Sequence, residues 1–94
     1  MAGPAQPPRM AERVWLVERS YSDKGLVTLV YATPDGKRHV RMQRSATMLQ
    51  STSVTAAIDV DPDRLVPVPE AADRERYAGE VERMRERHEP DDAV

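Results

Sequence analysis

A chain of 94 residues, 39% hydrophobic and 32% charged, has room for one small domain with a thin core. It has no cysteine, which removes disulfides, thiolate metal sites and a catalytic thiol and suits a reducing cytoplasm. The formal net charge of −2 hides a division: residues 1–58 carry eight basic and four acidic side chains, net +4, and residues 59–94 carry six and twelve, net −6.

Charge sorted this way points either to a polyanionic partner or to two patches that meet each other. Twelve of the fourteen basic residues are Arg and Asn and Phe are absent, which reads as the codon bias of a GC-rich genome. Apolar runs are far shorter than the roughly 20 residues that span a bilayer, so no membrane association is expected.

In chain order, residues 1–9 are rich in proline and are expected to form a disordered leader, with Met10 a candidate start. A single α+β domain is expected over 10–88, followed by an acidic tail, 89–94, that should fray after Pro90. Strands are predicted at about 13–21, 26–33 and 37–44, joined first by "SDKG" and then by "PDG" at 34–36. Pro34 presets the first central position of the second turn, Asp35 suits the next, and Gly36 takes the left-handed conformation. "SATMLQSTS" (45–53) should hold one helical turn. Two further strands are predicted at 54–60 and 64–68, the latter confined to an edge by Pro62, Pro67 and Pro69.

The final element is a helix over about 70–88, with Tyr77, Val81, Met84 and His88 on one face. Gly79 inside it costs about 1 kcal/mol against Ala and suggests a close approach to a strand. The expected architecture is a four- to five-stranded antiparallel meander, able to curl toward a barrel, with one C-terminal helix.

A three-residue turn at 34–36 sets residue 33 opposite 37, hence Tyr31 opposite His39, Val30 opposite Val40 and Leu29 opposite Arg41. One face then collects Leu26, Val30, Val40 and Met42, and the other Val27, Leu29, Tyr31, His39, Arg41 and Gln43. Since Trp15 and Val17 also leave the first face, both sides of the first two strands are apolar and something must cover them. This points to a homodimer that buries Trp15, Val17, Leu29 and Tyr31.

No acidic residue occurs from Gly36 to Ile58, which offers Lys37, Arg38, His39, Arg41 and Arg44 as nucleic-acid contacts, with Tyr31 and Trp15 to stack bases. The competing explanation is that Lys and Arg guard an exposed strand against aggregation. A third class, a small-ligand or enzymatic site at a subunit junction, has only His39 and Tyr31 as polar groups.

Other constellations carry little chemistry. Asp59, Asp61, Asp63 and Glu70 have the spacing of a calcium loop, but Arg64 stands where that loop needs glycine and Pro62 intrudes. His39 and His88 lack close-spaced metal ligands, Ser45, Ser51 and Ser53 lack a nucleophile elbow, and no glycine-rich phosphate loop exists. No catalytic residue, metal site or cofactor is indicated.

The stretch "ERVWLVERSYSDKGLVTLVYATPDGKRHV", followed by "AAIDVDPDRLVPV" and an Arg/Glu helix, resembles small uncharacterised proteins of halophilic archaea over about residues 10–94. The resemblance brings no activity with it, and a net charge of −2 is far less acidic than such proteins usually are. The expected function is a non-catalytic interaction module, self-associating through the mixed apolar face, with nucleic-acid binding through 37–44 as the alternative.

Overall fold

The alternating segments form a five-stranded antiparallel sheet, β4-β1-β2-β3-β5, in the computed structural model, which describes residues 11–94. The strands are β1 (Glu12–Tyr21), β2 (Leu26–Ala32), β3 (Arg38–Ser45), β4 (Ala57–Val60) and β5 (Val66–Pro67). A short helix α1 (Ala46–Ser51) follows β3, and α2 (Ala71–Arg87) ends the domain. The leader and Met10 lie outside the described residues.

The β2–β3 turn has the expected chemistry but one more residue than expected. Gly36 N–H donates to Thr33 O at 2.8 Å and Gly36 has φ of 72°, as a type I turn ending in a left-handed glycine requires. Thr33 Oγ1 donates to Asp35 Oδ1 at 2.6 Å, which holds the Asp35 carboxyl below the usual range, and Asp35 in turn accepts the Lys37 N–H. The ladder closes at Arg38, whose carbonyl accepts the Thr33 N–H, and not at Lys37. Every pair therefore shifts by one: Tyr31 faces Val40, Leu29 faces Met42, and Ala32 faces His39.

A one-residue shift moves a whole strand to its other face. Val40 and Met42 join Leu29 and Tyr31, while His39, Arg41 and Gln43 join Ala32, Val30 and Thr28. A bulge between Leu16 and Glu18 makes the same kind of correction in β1. Strict alternation would carry Arg19 and Tyr21 to the Trp15 side; the extra residue returns them to the side of Val14 and Leu16.

Both faces of the sheet are covered by the chain itself. On one, Tyr77 and Val81 of α2 pack with Trp15, Val30, Ala32 and Val68, and Met84 and Val17 border them. On the other, Val14, Leu16, Val27, Leu29, Tyr31, Val40, Val60 and Leu65 form a second core bordered by Ala46 and Leu49 of α1. Edge strands β4 and β5 are joined by residues 61–65 alone. A flat sheet would separate those edges by roughly four spacings of about 4.8 Å, close to the full reach of five residues, and part of this link is a 3-10 turn. The sheet therefore bends around Leu65 without closing into a barrel, and β4 and β5 remain edges.

The glycine that marks a close approach is Gly36, not Gly79. A Cβ built on Gly36 would lie 2.1 Å from Arg74 O of α2, whereas one on Gly79 would meet nothing within 4 Å. The tail also departs from expectation. Ala57 N–H donates to Pro90 O, Ala56 N–H to Asp92 O and Val94 N–H to Val54 O, so 90–94 docks along 54–57 as an added strand segment instead of fraying.

Candidate functional site

Of the residues expected at a dimer interface, Trp15, Leu29 and Tyr31 are 7%, 4% and 3% exposed within a single chain, and Val17 is half-buried. They do not share a face, since Trp15 lies under α2 and Leu29 and Tyr31 lie in the other core. No second copy is needed to cover them. Both faces of the first two strands are apolar, and the covering elements are α2 on one side and α1, Leu65 and the tail on the other.

The cations of 37–44 are also divided. Arg38 is bound to Glu12 across the bent sheet. His39 packs toward α2, its ring centroid 6.0 Å from that of Tyr77, and burial together with Arg41 lowers its pKa while Asp73 opposes the shift. Its Nδ1 is buried with no hydrogen-bond partner among the described residues. Tyr31 lies on the opposite face, so the two polar groups considered for a junction site are not brought together. With Trp15 and Tyr31 buried, neither is available to stack a base.

Lys37, Arg41 and Arg44 remain exposed. They lie at or beside a feature the linear sequence did not disclose, an unpaired length of β3. The outer side of this strand meets β5 only at Arg38 and His39, with Val68 N–H donating to Lys37 O just before them. From Val40 to Ser45 no strand flanks it among the described residues. Because Thr33 N–H bonds Arg38 O and Ala46 N–H bonds Gly25 O, even-numbered residues of β3 pair inward to β2. Arg41 and Gln43 then turn their main-chain groups outward. Gln43 O accepts the Arg44 guanidinium at 2.8 Å, which leaves Arg41 N–H, Arg41 O and Gln43 N–H facing outward.

The opposite edge is shorter and partly covered. β4 is four residues long, the tail covers the chain that leads into it, and Asp59 on it is held by Arg13 at 2.8 Å, which lowers the Asp59 pKa. Asp61 caps the 3-10 turn by accepting the Asp63 N–H at 2.9 Å. Of the carboxylates with calcium-loop spacing, Asp59 and Asp61 are thus engaged in local structure, and no cluster of three or more His, Asp or Glu suited to a metal ion occurs among the described residues. Two of the three serines of 45–53 are structural as well: Ser45 Oγ caps α1 at Met48 N–H, and Ser51 Oγ donates to Met48 O. Among the described residues, no helix is long and apolar enough to cross a membrane.

Residues 9–94 match the model of a family of unknown function, DUF7967. No curated protein and no solved structure matches the chain.

Proposed function

We propose that this chain, which belongs to the DUF7967 family of unknown function, is a non-catalytic binding module that adds an extended acidic segment of a partner protein to the free edge of β3. The observation that carries this reading is the unpaired run from Val40 to Ser45, where Arg41 and Gln43 turn main-chain groups outward, Arg41 flanks them on the α2 face and Arg44 on the other, and no carboxylate lies in the sequence from 36 to 58. Strand addition draws affinity from main-chain hydrogen bonds and specificity from alternate side chains. An acidic strand would place one carboxylate opposite Arg41 on the α2 face and another opposite Arg44 on the other face. A salt-rich host, which the halophilic resemblance implies, would screen exposed ion pairs more than main-chain pairing. The lack of cysteine supports a cytoplasmic setting.

The second reading, nucleic acid held by Lys37, Arg41 and Arg44, rests on the same cations. Two substitutions separate it from strand addition. Arg41→Glu should weaken a labelled peptide of alternating Val and Glu several-fold in fluorescence anisotropy, and would weaken single-stranded RNA as well. Gln43→Pro deletes an outward N–H on an edge strand, where proline is tolerated, so it should abolish peptide binding without unfolding the chain. Retention of RNA with no binding of the peptide by the native chain would replace strand addition by the nucleic-acid reading.

A further inference from the structure

At its bare edge β3 repeats a pair of residues that β1 uses to hold a strand. In β1, Arg13 and Val14 face Asp59 and Ile58 of β4 in antiparallel register. Arg13 shares the α2 side of the sheet with Trp15, and its guanidinium donates to both oxygens of Asp59, at 2.8 and 3.2 Å. Val14 lies in the opposite core, and Ile58 borders it. In β3, Arg41 and Met42 follow each other in the same order, Arg41 on the α2 side and Met42 at the border of the core that contains Val14.

What β3 lacks is the strand that would pair with them. Arg41 is exposed and meets no carboxylate among the described residues, and Met42 is only half-buried. Arg44 folds back on the edge itself, donating to Gln43 O at 2.8 Å and to Met42 Sδ at 3.7 Å. A carboxylate brought beside it would draw the guanidinium away and free the Gln43 carbonyl for a ladder bond. Since Val66 pairs with His39, Leu65 stands level with Val40, which leaves Arg41 to Arg44 as the readable length.

The two edges differ in ladder phase. Leu16 N–H bonds Ala56 O, so Val14 carries the ladder bonds of the first edge, whereas Arg41 carries those of the second. Facing residues at Arg41 are then about 5.5 Å apart instead of about 4.5 Å, a difference that a long arginine side chain spans.

We infer that the partner segment of the β3 edge is an antiparallel strand of the pattern acid, any residue, apolar, acid, whose members face Arg44, Gln43, Met42 and Arg41 in turn. The inference rests on the strand-addition reading above and narrows it, because the apolar residue and the second acid reproduce Ile58 and Asp59 of β4. The antiparallel direction follows β4 on β1 and every other pairing in the sheet.

Two labelled peptides of identical composition, flanked by threonines, test the pattern on the full chain by fluorescence anisotropy, one with the core Glu-Thr-Ile-Asp and one with Glu-Thr-Asp-Ile. The first should bind about fivefold tighter or more, as expected when one ionic and one apolar cross-strand pair are lost together in the second. A third peptide, Glu-Thr-Ile-Lys, should bind Arg41→Glu more tightly than it binds the native chain. A nitroxide at the N-terminus of the first peptide should broaden the amides of Arg44 and Ser45 more than that of Val66. Equal binding of the two isomers, no gain for the lysine peptide in Arg41→Glu, or stronger broadening at Val66 would each overturn the pattern, and strand addition would stand if Gln43→Pro still abolished binding. Binding undiminished in Gln43→Pro, or no binding of any peptide, would overturn strand addition and the pattern with it.

Discussion

The two faces of the sheet are closed by different means, and the difference decides where the molecule has surface to offer. One face is closed by a single 17-residue helix that sets Tyr77 and Val81 over Trp15, Val30 and Ala32. The other is closed by fragments: a six-residue helix, Leu65 from a linker, Val54 and the tail. A continuous helix carries Tyr77 and Val81 on one cooperative element, whereas α1 has no buried residue and the other pieces are held separately. A cleft beside Arg19 lies where α1, the hairpin and the tail come together. Rigidity should therefore be concentrated on the helix face and adaptability on the other.

The largest test of this contrast is Gly36→Ala. The added Cβ would overlap Arg74 O and strain a left-handed backbone, for a combined loss of about 2 to 5 kcal/mol in denaturant unfolding. Gly25→Ala is the control, since φ there is 78° but the space is open, and it should cost only about 1 to 2 kcal/mol. Equal losses in the two variants would show that α2 is not held against the turn.

Truncations compare the two packings more directly. Val81→Ala, at a position 1% exposed, should cost about 2 kcal/mol, while Leu49→Ala, half-buried beside the cleft, should cost about 1 kcal/mol or less. A larger loss at Leu49 would reverse the assignment of the rigid face.

The smallest effect is a pH dependence from His39 on the helix face. Burial, with Arg41 adding to it, lowers its pKa from the ordinary 6.5 against the opposing pull of Asp73, so the folded chain binds fewer protons there than the unfolded chain. Stability from this group is complete above about pH 6.5 and falls as pH drops through the lowered value. Asp35 and Asp59, also lowered, act only below their ordinary 3.8. The melting temperature should decline gently between pH 7 and pH 5, and His39→Phe should flatten that slope. An unchanged slope in the variant would remove His39 as its source.

Local chemistry was legible wherever one residue type answers a local demand. Pro34, Asp35 and Gly36 named their turn, hydroxyls at 45–53 announced a short capped helix, and Tyr77, Val81 and Met84 marked the buried stripe of α2. Gly79 misled because a helix glycine has several causes, and only three-dimensional packing identifies Gly36 as the point of contact. The tail looked mobile because Pro90 and its acids disfavour a helix, which leaves an edge pairing open.

The sequence by itself determined the elements, their order and the presence of two apolar faces, because these follow from periodicities of two and 3.6 and from turn chemistry. Tertiary structure alone decided the register of β3, where one more turn residue moved Val40 and Met42 into the core with Tyr31 and turned His39 and Arg41 away. It also decided what covers each face and which edge stays bare. Those outcomes depend on where distant segments such as α2, Leu65 and residues 90–94 dock, and such long-range contacts leave no periodic trace in the strands they cover.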